Sequence, residues 1–105
     1  MKRKVGKYLS TKEHREWSLK IRARDEFQCV VCGSKEHLNA HHLIPKEIIE
    51  FRSNMKNGIT LCAKHHTRYG NGLSPHSYGG NMLFYFWMSI NRPKQLAWIE
   101  DNYDI

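Results

Sequence analysis

Between Ser10 and Arg24, Trp17 and Ile21 stand four residues apart with His14 one turn earlier, and Lys12, Arg15, Lys20, Arg22 and Arg24 occupy the positions between. That spacing is the apolar stripe of an amphipathic helix. Ser10-Thr11-Lys12-Glu13 has the form of a capping box that would start it. The pattern predicts a helix over 10–24, with His14 in a structural role. Leu38-Asn39-Ala40-His41-His42-Leu43-Ile44-Pro45 is short, apolar at its edges and closed by proline, which predicts a strand. After the turn signal Asn57-Gly58, Ile59-Thr60-Leu61 predicts a second strand returning antiparallel to the first. Their connection is long for a hairpin, so it is expected to carry order of its own, as a short helical turn or irregular crossover around residues 46–52. Met82 to Met88 is apolar on every side, and periodicity alone does not separate a helix from a buried strand there. A helix ending near Asn91 is expected, followed by a last helix with Pro93 in its first position, running to about Tyr103. This aromatic-rich tail is expected to form core against the first helix.

Strand alternation sends neighbouring side chains to opposite faces. His41 and His42 therefore favour two separate roles over a shared one, although a packed and a solvated histidine would account for the pair taken alone. The cysteines change that picture. Cys29-x2-Cys32 followed by Gly33 is the form of a knuckle turn that aims two thiolates at one metal, a spacing that redox motifs share. Cys62 and His65, three residues apart at the expected start of a helix, supply a second pair. Cys29, Cys32, Cys62 and His65 make a closed Cys3His set suited to a structural zinc, the alternative being three free thiols and a surface histidine. Three cysteines are an odd number, and no apolar run of signal-peptide type follows the basic start. Metal binding in a reducing cytoplasm is thus expected over a disulfide framework. His66 lies about 100° round a helix from His65 and does not join the same tetrahedron. His37 is expected in a solvent-facing loop.

A chain of 105 residues is one small domain, for which a metal staple supplements a marginal core. Seventeen Lys and Arg against ten Asp and Glu give a formal charge of +7, which points to a polyanionic partner, nucleic acid before membrane. No apolar run approaches the ~20 residues that span a bilayer. Residues 1–9 read as a basic arm, and 70–80 as a loose linker carrying His76. Arg22 and Arg24 are candidate phosphate contacts, with an ordinary solvated face as the alternative. Two histidines are then left at a plausible metal geometry. A strand–strand–helix unit stapled by zinc would bring His41 and His66 together, where two neutral imidazoles can hold a divalent cation. His42, facing elsewhere, is free to act on a water as general base.

His41-His42-Leu43-Ile44-Pro45, then Asn57-Gly58-Ile59-Thr60-Leu61-Cys62-Ala63-Lys64-His65-His66, preceded by Cys29-x2-Cys32-Gly33, resembles an HNH endonuclease. The match runs from about Arg24 to His66. The resemblance implies an α+β fold: a small ββα-metal core stapled by a zinc knuckle over 25–69, flanked by the N-terminal helix and C-terminal helices over 80–103. It implies that His41 and His66 hold a catalytic Mg²⁺, Mn²⁺ or other divalent ion, that His42 is the general base, and that Asn57 braces the strand and loop. It implies one-metal hydrolysis of DNA phosphodiester bonds, by nicking or cleaving duplex. His65 departs from the cysteine more often found there. A chain this short resembles free-standing HNH nucleases common in phage and bacterial genomes. The expectations that compete with a nuclease acting alone are a non-catalytic zinc-knuckle module and a nuclease inside a larger machine such as phage DNA packaging.

Overall fold

The computed structural model describes residues 11–66 and 80–102. The basic arm at 1–9, Ser10 of the capping box, the linker with His76, and Tyr103 lie outside these residues. Helix α1 (Thr11–Arg24) is followed by strand β1 (Leu38–His42), a 3-10 turn (Met55–Asn57), strand β2 (Gly58–Cys62), helix α2 (Ala63–His66), helix α3 (Gly80–Asn91) and helix α4 (Pro93–Asn102). The two strands pair antiparallel, Leu38 opposite Cys62 through His42 opposite Gly58. The ambiguous apolar segment is a helix, and Pro93 opens α4 as its fixed φ favours. No described helix is long and apolar enough to cross a membrane.

The sheet has a helix layer on each side. On one face lie Ile59 and Leu61, fully buried in a cluster with Leu43, Ile44, Ile48, Phe51, Phe84, Met88 and Ile99. That cluster places α3 and α4 against the strands and the interstrand loop. It includes neither Trp17 nor Ile21, so the aromatic tail does not form core on α1 as expected. The reason is alternation: α1 takes the other face, where Thr60 Oγ1 donates to the Ile21 carbonyl at 3.4 Å. Gly58 allows the approach. A Cβ there would lie 2.6 Å from both Ile21 Cδ1 and Trp17 Cζ2. Its φ of −146° is ordinary extended backbone, so this glycine serves close packing of α1 on β2 rather than a turn.

Helix α1 ends in a Schellman motif, with Phe27 N–H donating to the Arg22 carbonyl at 2.8 Å and Glu26 N–H to the Ala23 carbonyl at 3.0 Å. Glu26 and Phe27 hold positive φ (60° and 53°) where glycine is usual. A buried network holds this turn in place. The Asp25 carboxylate accepts from Thr60 N–H at 3.0 Å and pairs with the Arg24 guanidinium through two bonds of 3.0 and 2.8 Å.

The interstrand connection has the order expected of it. Ile48, Phe51, Asn54 and Asn57 each donate a backbone N–H to the carbonyl three residues earlier, at 2.9, 3.2, 3.0 and 3.0 Å. Successive turns thus carry the chain from Pro45 to the start of β2, and buried Ile48 and Phe51 anchor them to the core.

Candidate active site and metal centre

Two local turns build the cysteine cluster. Gly33, at φ 78°, lets the chain reverse after Cys32, and its N–H returns to the Cys29 carbonyl at 2.8 Å. Val30 N–H donates to the Thr60 carbonyl at 3.0 Å, which hangs the knuckle on β2. Cys62 ends that strand and His65 follows on α2. The donor atoms of Cys29, Cys32, Cys62 and His65 lie within 4.8 Å of one another. Cys32 Sγ is 3.7 Å from Cys62 Sγ, and His65 Nδ1 is 3.4 Å from Cys62 Sγ and 3.9 Å from Cys29 Sγ. A tetrahedron with zinc–ligand lengths of ordinary size has edges of about 3.8 Å between sulfurs and about 3.5 Å from sulfur to nitrogen. The four residues fit one such ion, and could hold it.

The protonation preferences differ within the set. Burial disfavours the Cys29 thiolate, but backbone N–H groups of Cys62, Cys32 and Val31 aimed at it bring its pKa below the ordinary value. Burial pushes the Cys32 thiol up; the Ser34 N–H opposes this, while hydrogen bonds with Cys62 and Cys29 and thiolate charge on Cys29 reinforce it. Such crowding of like charge is what a bound dication relieves. Burial, then the Lys64 ammonium, lowers the pKa of His65, which favours the neutral imidazole a metal needs.

The histidine pair of β1 divides between the faces. His41 lies edge-on to His66 of α2, ring centroids 5.1 Å apart at 66°, with Phe84 of α3 at 6.3 Å. Two imidazoles on one ion place their centroids about 4.5–5.2 Å apart, from nitrogen–metal lengths of about 2.1 Å. The pair could therefore share a cation. His42 is on the other side, opposite Gly58. Its Nε2 lies 2.9 Å from the Arg52 carbonyl oxygen. A carbonyl only accepts, so Nε2 carries the proton and Nδ1 keeps a lone pair. Burial lowers the pKa of His42; the Arg52 carbonyl opposes this, His14 and Lys46 reinforce it, and Glu47 opposes it.

Asn57 is wholly buried and acts as a clamp. Its Oδ1 accepts from Ile44 N–H, and its Nδ2 donates to the Ile44 carbonyl at 3.0 Å and the Phe51 carbonyl at 3.1 Å. Phe51 precedes Arg52, so the clamp holds the peptide run that presents a carbonyl to His42. Asn57→Ala leaves the buried N–H and carbonyl of Ile44 without this partner and removes one of the two bonds to the Phe51 carbonyl, which keeps the Asn54 N–H. It is expected to lower stability by at least about 2 kcal/mol, read as a lower urea midpoint at unchanged m.

Arg24, one of the expected phosphate contacts, has a structural role in the fold. Besides its fork on Asp25, it donates to the carbonyls of Met55 at 2.7 Å and Gly58 at 2.8 Å. Four of its five N–H groups are engaged inside the protein, so it braces α1 on β2. Arg22 is half-buried on α1, its Nε 3.3 Å from the Ser18 carbonyl, and stays a candidate for phosphate. His14 also differs from expectation. It is exposed rather than core-facing, 6.0 Å from the His42 ring. Sequence reasoning took Trp17 for core alone. Its indole stacks on His42, centroids 3.7 Å apart and planes 7° from parallel.

A two-stranded antiparallel sheet running directly into a helix, with a Cys3His cluster at the junction that could hold zinc, defines a small ββα fold. The HNH endonuclease family matches residues 29–74. Anaredoxin of Nostoc sp. (strain PCC 7120 / SAG 25.82 / UTEX 2576) is 34% identical over 61 residues, covering 57% of this chain and 79% of that protein. No solved structure matches the chain. Residues 29–74 thus carry an HNH endonuclease domain, as the histidine, asparagine and cysteine spacing implied. A nuclease domain of this type has nucleic acid as its substrate class.

Proposed function

We propose that this protein is a divalent-metal-dependent endonuclease that hydrolyses phosphodiester bonds of duplex DNA. The observation that carries this is one strand presenting two histidines to two faces. His41 is paired with His66 at a metal-sharing distance, and His42 is fixed as a neutral base. His42 would take the proton of the attacking water on Nδ1, while its Nε2–H stays on the Arg52 carbonyl, which then faces the imidazolium charge. The water oxygen bonds to phosphorus and the 3′-oxygen leaves. His41 and His66 would hold the cation, which when bound would neutralise charge on the phosphate and the departing oxygen. Asn57 would keep the Arg52 carbonyl in place, and Cys29, Cys32, Cys62 and His65 would hold a structural zinc. The +7 charge, with Arg22 on α1, supports contact with phosphate backbone. Three thiols serving as ligands fit a reducing, cytoplasmic setting. The exposed stripe of Leu83, Phe86 and Ile90 on α3 supports docking in a larger DNA-processing assembly, phage packaging among them.

The test is a supercoiled plasmid incubated with purified protein across Mg²⁺, Mn²⁺ and other divalent ions. Wild type is expected to nick or linearise it. His41→Ala and His66→Ala are each expected to weaken activation by the added ion at least about tenfold while zinc stays bound. Protein that binds DNA and cuts under none of these ions is the non-catalytic zinc-knuckle module instead.

A further inference from the structure

We infer that Trp17, outside the matched family region, is a positioning residue that locks the plane of His42; this rests on the nuclease reading above. A single in-plane bond from Nε2 to the Arg52 carbonyl leaves an imidazole free to pivot about the Nε2···O axis. That pivot would swing Nδ1 out of line with a water. A flat wall parallel to the ring removes it. The indole of Trp17 supplies the wall at 3.7 Å and 7°.

The wall is itself held. Trp17 is 2% exposed, and its Nε1–H donates to the Asn54 carbonyl at 3.0 Å, an oxygen that also accepts from Asn57 N–H at 3.0 Å. Gly58, directly across from His42 in the sheet, leaves open the space that the indole edge fills. Asn54, Asn57 and Gly58 thus tie the stacking ring to the same loop that presents the Arg52 carbonyl. The base is gripped in its plane by one end of that loop and on its face by a helix seated on the other. Ring stacking is a small contribution to the fold but enough to select one orientation of a side chain. Buried area alone would be met by any large apolar residue. Near-parallel contact with a histidine whose Nε2–H is held on a carbonyl is not.

The inference is tested with Trp17→Leu and Trp17→Phe in zinc-loaded, full-length protein, with Trp17→Met in place of the leucine variant if that fails to fold. Two readouts are taken at one fixed pH: the NMR positions of the His42 ring protons, and kcat with KM for plasmid cleavage. In wild type the indole ring current shifts the His42 protons upfield. Leucine is expected to abolish that shift and to lower kcat by roughly 10- to 10²-fold with KM little changed, the mark of a misplaced reacting group. Phenylalanine keeps a flat ring but loses the bond to Asn54, and is expected to restore most of both. A folded leucine or methionine variant with wild-type kcat overturns the inference. So does a phenylalanine variant as slow as leucine, because the indole bond and not the flat face would then be what matters. Wild type that never cuts would remove the nuclease reading, whereas His42 resonances unmoved by leucine would remove the stack whatever the activity.

Discussion

His42→Ala is expected to leave a folded protein that retains both metal sites and cleaves plasmid at least about 10²-fold more slowly, the lower bound for a general base. The side chain is half-buried and, among the described residues, makes one hydrogen bond, to the Arg52 carbonyl. Alanine removes that bond and the partner of Trp17, but neither is part of the Asn57 clamp or the cysteine cluster. The fold should therefore survive with a modest drop in stability, about 1–2 kcal/mol for a lost bond and stack. His41 faces away from it, so binding of the catalytic ion should be unaffected. The contrast with His41→Ala carries the argument, since that variant should need more of the added ion, whereas His42→Ala should stay slow at saturation. Calorimetric ion binding beside cleavage rates makes the distinction. A folded His42→Ala protein with full activity would end the assignment of the base.

The largest effect on stability is expected from the cysteine cluster. Cys62→Ser, or removal of zinc by a strong chelator, should unfold the region from the knuckle through α2. Cys62 is buried and touches both Cys32 and His65, so it lies at the centre of the set. Zinc binding to a set of this kind contributes on the order of 10 kcal/mol or more to folding, comparable with the whole stability of a small domain. The loss should reach the active site through the chain itself. His66 follows His65 directly, and its distance from His41 is set by where the cluster holds the start of α2. Near-UV circular dichroism and a urea titration before and after chelation would show it, with added zinc restoring both signal and cleavage. An unchanged urea midpoint in fully chelated protein would mean that the thiols pack as ordinary core.

The Cys3His cluster was legible because it depends on local geometry. Cys29-x2-Cys32-Gly33 and Cys62-x2-His65 each place two donors on one side of a single turn, whatever the rest of the chain does. Strand alternation separated His41 from His42 for the same reason, and one turn of helix separated His65 from His66. Asn57 was legible only by resemblance. Its clamp on Ile44 spans thirteen residues of loop, and no local rule predicts that closure.

The errors lie where two elements meet. Arg22 and Arg24 looked equivalent on the helix, yet Arg24 reaches carbonyls more than thirty residues away and braces α1 there. His14 and Trp17 shared one apparent stripe, but the packing of α1 on Gly58 turns Trp17 onto His42 and leaves His14 exposed. The face covered by α3 and α4 followed from which side α1 had taken. By itself, then, the sequence determined the strand–strand–helix order, the Cys3His set and the division of the histidine pair, all consequences of spacing along a turn or a pleat. The tertiary structure alone decided which arginine braces α1 on β2, what stacks on His42 and where the aromatic tail packs. Those outcomes depend on the approach of one element to another, which a missing Cβ at Gly58 governs and which no period along the chain encodes.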